Sequence, residues 1–133
     1  MKTRTIDTNI LVRLLARDDS AQWAQAAQLT TTFRLVVLPT VLLETEWVLR
    51  SRLKLDRSQI ATLLRQVLGT DAIIVVEREQ ILKALDGFEA GMDFADALHV
   101  SLTAAGETFL TFDKGLAKLA QKHINSVSVE LAS

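Results

Sequence analysis

The chain contains no cysteine. No disulfide braces it, and no thiolate is present to bind a metal or attack a substrate. A reducing cytoplasm suits such a chain. Pro39 is the only proline and the five glycines are scattered. With no repeat, low-complexity stretch or Gly/Ser/Pro-rich linker, a single domain over residues 1–133 is expected. No apolar run approaches the roughly 20 residues that span a bilayer. Asp7, Thr8 and Asn9 also interrupt the segment that follows Lys2 and Arg4, so neither a secretory leader nor a membrane partner is expected. Positive charge is not in excess: 15 Lys and Arg face 16 Asp and Glu, a formal charge of −1. A protein that holds nucleic acid by phosphate neutralisation alone is basic. Any such role here must rest on a local site.

What is present is an ordinary globular composition, 49% apolar and 23% charged, in a chain long enough to bury a core. Residues 2–6 read as a short strand, and Ile10, Leu11, Leu14 and Leu15 recur at helical spacing. Asp18 to Ser20 break that helix and cap a second, running from Ala21 to about Phe33. Leu35 to Leu38 form a strand stopped by Pro39. Thr40 then caps a helix on which Leu43, Trp47 and Arg50 line one stripe, with Val48 and Leu49 beside it. Asp56 to Ser58 cap another helix, which ends at Gly69. Ala72 to Val76 read as a buried strand, Glu77 to Ala90 and Phe94 to Ala105 as helices stopped by Gly91 and Gly106. Thr108 to Phe112 are a strand, Lys114 to Lys122 a helix, and Val127 to Leu131 a last strand. Short apolar strands alternating with helices predict an α/β fold with a mainly parallel sheet of four to five strands, covered by helices on both faces.

In such a sheet, ligands bind beyond the carboxyl ends of the strands. Asp7 ends the first strand and Asp113 the fourth. Glu44 lies one turn into the helix that leaves the second strand. Asp96 lies in the first turn of the helix opening at Asp93, flanked by Phe94, Ala95, Ala97 and Leu98. An ionised carboxylate in such surroundings is costly unless paired or bound to metal. Glu44 shows the same conflict within Val41-Leu42-Leu43-Glu44-Thr45-Glu46-Trp47, whereas Glu46 reads as the solvated acid. Few cations adjoin these residues, so their convergence calls for a hard divalent cation. Oxygen donors without Cys and with little His suit Mg2+, or Mn2+ as substitute, better than Zn2+.

Asp7-Thr8-Asn9, Glu44 on its helix, Asp93-Phe94-Ala95-Asp96-Ala97-Leu98 and Thr111-Phe112-Asp113-Lys114 resemble the PIN-domain nucleases. More narrowly they are similar to VapC-type toxins of type II toxin–antitoxin pairs. The likeness covers nearly the whole chain, with the motifs in order. It implies a three-layer, flavodoxin-like α/β/α sandwich and a Mg2+-dependent endoribonuclease of the cytoplasm, with RNA as substrate. It further implies a homodimer held in a larger assembly by a cognate antitoxin, a peptide segment of which lies over the active groove. By motif, Asp7 and Asp96 are direct metal ligands. Glu44 and Asp113 complete the acidic, catalytic pocket through water or a second ion. Asn9 and Thr111 orient the carboxylates, and Asp93 caps its helix and supports the metal site.

Each acid also has a plainer reading. Asp7 and Asp93 are suited to helix capping, and Asp96 to a capping box with Asp93. Glu44 has Arg13 or Arg50 as candidate ion-pair partners, and Asp113 suits a turn before Lys114-Gly115. Arg50, Arg52, Lys54 and Arg57 form either a solvated face or, with Lys114, a grip on RNA phosphates. Trp23 and Trp47 read as core or dimer contacts in preference to base stacking, and His99 as a partner within the fold. Two alternatives stand beside the toxin: a PIN nuclease of RNA processing, and a non-catalytic module that binds RNA or protein. An aspartyl phosphatase is disfavoured because Asn9 occupies the place of its second acid. Neither the acid pair nor the lysine of a receiver domain forms a convincing pattern here.

Overall fold

The computed structural model describes all 133 residues, Met1–Ser133, and the chain divides into two compact units, Met1–Val76 and Glu77–Ser133. No helix is long and apolar enough to cross a membrane.

The first unit holds three strands in the order β1 (Thr3–Thr5), β2 (Arg34–Val37) and β3 (Ile73–Val75). Both pairings are parallel, with Arg4 opposite Leu35 and Val36 opposite Ile74. Parallel neighbours need a crossover between them. Helices α1 (Thr8–Ala16) and α2 (Ser20–Thr32) supply the first, and α3 (Pro39–Ser51) and α4 (Arg57–Leu68) the second. Local chemistry sets most of their ends. Asp19 caps α2, its Oδ1 accepting the Ala21 and Gln22 amides at 3.0 Å each. Asp56 and Gln59 form a reciprocal capping box on α4, with bonds of 2.8 and 3.0 Å. Thr40, expected to cap α3, instead lies in its first turn. Leu38 holds the cap position without a side-chain bond, and Pro39 takes the first helical position, where a missing N–H is harmless.

The stripe of α3 also differs from expectation. Its buried residues are Val41, Leu42, Thr45, Glu46 and Leu49, while Trp47 is 49% exposed. Apolar triplets stand on both sides of Glu44-Thr45-Glu46, so periodicity alone allows two phases. Packing selects the one that turns Leu49 inward and Trp47 outward. The core reading of Trp47 is thereby overturned. Trp23 is half-buried, with the Arg17 guanidinium 4.6 Å from its ring centroid.

The second unit contains α5 (Arg78–Glu89), α6 (Phe94–Ser101), β4 (Thr108–Thr111), α7 (Lys114–His123) and β5 (Ser128–Leu131). Strands β4 and β5 pair in parallel, Phe109 opposite Val129, with α7 as their crossover. The five expected strands thus exist and all pairings are parallel, but hydrogen bonds join them as a sheet of three and a sheet of two. Helices α5 and α6 pack through Phe88 and Phe94, whose rings meet edge to face at 5.4 Å. Gly87 makes room there: a Cβ on it would lie 2.8 Å from Met92 Sδ and 2.9 Å from Ile124 Cδ1. Helix α6 stops at Ser101, short of the expected Ala105. The Ser101 and Thr103 hydroxyls donate back to the Leu98 and His99 carbonyls at 3.2 and 2.9 Å, which competes with helix continuation.

Phe94 is 1% exposed and anchors the α5–α6 contact. Phe94→Ala is expected to cost about 3–5 kcal/mol of stability. Denaturant titration checks this, and a loss within about 0.5 kcal/mol, ordinary for surface positions, would contradict the packing role.

Candidate active site

In the second unit, three aspartates are set by helix starts. Asp93 caps α6, its Oδ2 accepting the Asp96 amide at 3.1 Å. Asp113 follows β4 and caps α7, its Oδ1 accepting the Leu116 amide at 3.0 Å. Its own amide donates to Thr111 Oγ1 at 3.0 Å, so Thr111 fixes the turn that aims Asp113. Asp93, Asp96 and Asp113 line one cavity of about 240 Å3, together with Gly91, Met92 and Gly115. A Cβ on Gly115 would stand 3.4 Å from Asp113 Oδ1, in ordinary contact with it.

Asp96 is the electrostatic focus of this cavity. Its carboxyl is raised above the usual range, first by burial and then by the charge of Asp93. His99, one turn on, lowers it, and Asp113 raises it further. A cation in this cavity would offset the mutual repulsion of Asp93, Asp96 and Asp113.

In the first unit, Asp7 follows β1 and caps α1, Oδ1 accepting the Ile10 amide at 3.0 Å. It is exposed, as is Asn9 in the first turn of the helix. On α3 the expected burial of the two glutamates is exchanged. Glu44 is exposed, and Glu46 is the buried one at 3%. The ion pair considered for Glu44 is made by Glu46, which meets Arg50 Nε at 2.8 Å. Arg50 pairs with Glu46 while its own side chain stays about half exposed. Arg52 is exposed, its guanidinium 5.7 Å from the Trp47 ring centroid. Lys54 is exposed at a left-handed φ of 57°, and Lys114 is exposed beside Asp113.

The four acids singled out by sequence therefore fall two to each unit: Asp7 and Glu44 in the first, Asp96 and Asp113 in the second. Within neither unit do three or more His, Asp or Glu side chains gather closely enough to hold a metal ion. The donor chemistry nevertheless fits a hard dication. Asp7, Asp93 and Asp113 each spend one carboxylate oxygen on a helix cap, which leaves the second for a ligand. All the donors are oxygens, as Mg2+ requires. Sequence reasoning missed Gly115 and Met92 as cavity walls. A glycine at the second position of a helix, where it is a poor helix former, was the available signal for the first.

The raised Asp96 carboxyl has a consequence for stability. The folded state holds that proton more tightly than the unfolded chain, whose value is about 3.9. Stability contributed by the proton is present below that value and is lost as pH rises through the folded pKa. Asp96→Asn removes this loss. The variant should gain on the parent as pH rises through the Asp96 pKa and hold the gain above it. Unfolding midpoints across pH measure this, and a gain confined to acid pH would reverse the assignment.

No curated protein matches the chain. The family model described as the PIN domain matches residues 5–122, a span that runs through both units and includes all four acids. By that match the chain belongs to the PIN domain family, a nuclease fold whose members are generally metal-dependent ribonucleases.

Proposed function

We propose that this protein is a Mg2+-dependent endoribonuclease, the VapC-like toxin of a type II toxin–antitoxin pair, working in the cytoplasm. The observation that carries the nuclease reading is the cavity in which Asp96 is raised by burial and by Asp93 and Asp113. Supporting it, the family match runs across Val76 and Glu77, consistent with a single catalytic domain over residues 1–133.

By the ordered motifs, Asp7 and Asp96 would hold the ion, and Glu44 and Asp113 would complete the acidic set through water or a second ion. When bound, Mg2+ lowers the pKa of water and offsets the charge of the phosphodiester. Asp113, steadied by Thr111, or Glu44 orients the attacking water and accepts its proton. The water oxygen bonds to phosphorus as the bond to the 3′-oxygen breaks, leaving 5′-phosphate and 3′-hydroxyl ends. Lys114, beside Asp113, and Lys54 and Arg52 draw in the RNA backbone. The toxin reading rests on the ordered motifs Asp7-Thr8-Asn9, Glu44, Asp93 to Leu98 and Thr111 to Lys114. It entails a homodimer and a cognate antitoxin.

Asp96→Asn should keep the fold and lose at least about a hundredfold in Mg2+-dependent cleavage, since even residues behind a metal ligand cost 10–100-fold. Sequencing the RNA ends made on expression of each protein reads this out. Mg2+ should also raise the melting temperature of the parent and not of the variant. Equal cleavage by the two proteins would refute the site. Mg2+-independent binding of RNA without cleavage would favour a binding module.

A further inference from the structure

We propose that Trp47 and Arg52 form a platform on α3 that stacks an RNA base beside Glu44; the proposal rests on the ribonuclease reading above. Helix α3 buries Val41, Leu42, Thr45, Glu46 and Leu49, and leaves Trp47 49% exposed on the opposite side. Glu44, three residues earlier, is exposed on that same side. Side chains at this spacing are neighbours, with Cβ atoms about 5–6 Å apart. An aromatic ring thus stands one helical turn from a candidate catalytic carboxylate.

Two features point to nucleic acid as the occupant. Arg52, which closes the helix, lies with its guanidinium 5.7 Å from the Trp47 ring centroid. A ring with a cation on one side is suited to a base on the other, while the guanidinium reaches a phosphate. Lys54, two residues on, is exposed and held in a left-handed turn by its own backbone. Arg52 and Lys54 give this end of α3 two exposed cations, in a chain whose overall charge is −1. Local positive charge beside an exposed indole matches a single-stranded polyanion with free base faces. Stacking is tolerant of sequence, so the platform holds the strand and leaves selection to the pocket.

The test uses a mixed-sequence single-stranded oligoribonucleotide. In the full-length Trp23→Phe protein, Trp47 is the only indole, and its fluorescence should be quenched by the oligonucleotide in the absence of divalent cation. Trp47→Ala should weaken binding and raise KM about tenfold with a smaller change in kcat, and Trp47→Phe should restore most of the affinity. Arg52→Ala should lower the slope of log affinity against log salt by about 0.7, one phosphate contact to single-stranded RNA. If the parent cleaves RNA and Trp47→Ala cleaves it with unchanged KM and affinity, the platform is refuted while the nuclease reading stands. Unchanged affinity with loss of a dimer in sedimentation would refute it in favour of a second copy of the chain. A parent that neither binds nor cleaves RNA would remove both readings.

Discussion

The bond between an aspartate oxygen and the free amides at a helix start is the constraint on which this site depends. It occurs at Asp7 on α1, Asp93 on α6 and Asp113 on α7, each time about 3 Å from an amide three residues on. The first amides of a helix have no partner inside it, and the helix dipole favours negative charge there. One oxygen meets that need. The geometry then fixes where the other oxygen points, without a dedicated loop. Capping uses one oxygen of each carboxylate, so the capping and ligand readings of these aspartates are compatible.

Asp96 differs because it caps nothing. It sits one residue type deeper in character, half-buried in the first turn of an apolar helix, with Asp93 and Asp113 close enough to push its carboxyl up. Its energy is set by other charges and by lost water, with only His99 working in the opposite direction. The exposed Asp7 and Asp113 are held in place chiefly by backbone geometry.

Much of this was legible in the residues because the signals are local. Asp19 and Asp56 announce helix starts through side-chain bonds to amides within three residues. The short segments 34–37, 73–75 and 108–111, rich in β-branched, aliphatic and aromatic residues, mark strands by length and composition. The failures come where two local readings are equally periodic or a weak local preference decides. On α3, Leu43, Trp47 and Arg50 and the observed set around Leu42, Thr45 and Leu49 are equally periodic, so only packing separates them. That ambiguity also exchanged Glu44 and Glu46, since the buried acid is the one whose partner, Arg50, lies one turn on along the same helix. The end of α6 was misplaced because Ser101 and Thr103 compete for carbonyls, a preference weaker than the glycine stop at Gly106. Strand number was readable, but the division into sheets of three and two is a property of pairing, which no single segment encodes.

The shared duty of the capping aspartates limits how this chain can change. Asparagine caps a helix as well as aspartate does, because either side chain offers an oxygen to the waiting amide. Exchanging an oxygen for an amide nitrogen at position 7, 93 or 113 would leave the helix start intact and subtract one negative charge. A valine or leucine there would unmake the cap as well. On the proposed metal role, the fold thus has a short mutational path toward a quiet, still-folded descendant, one atom wide at each of three places.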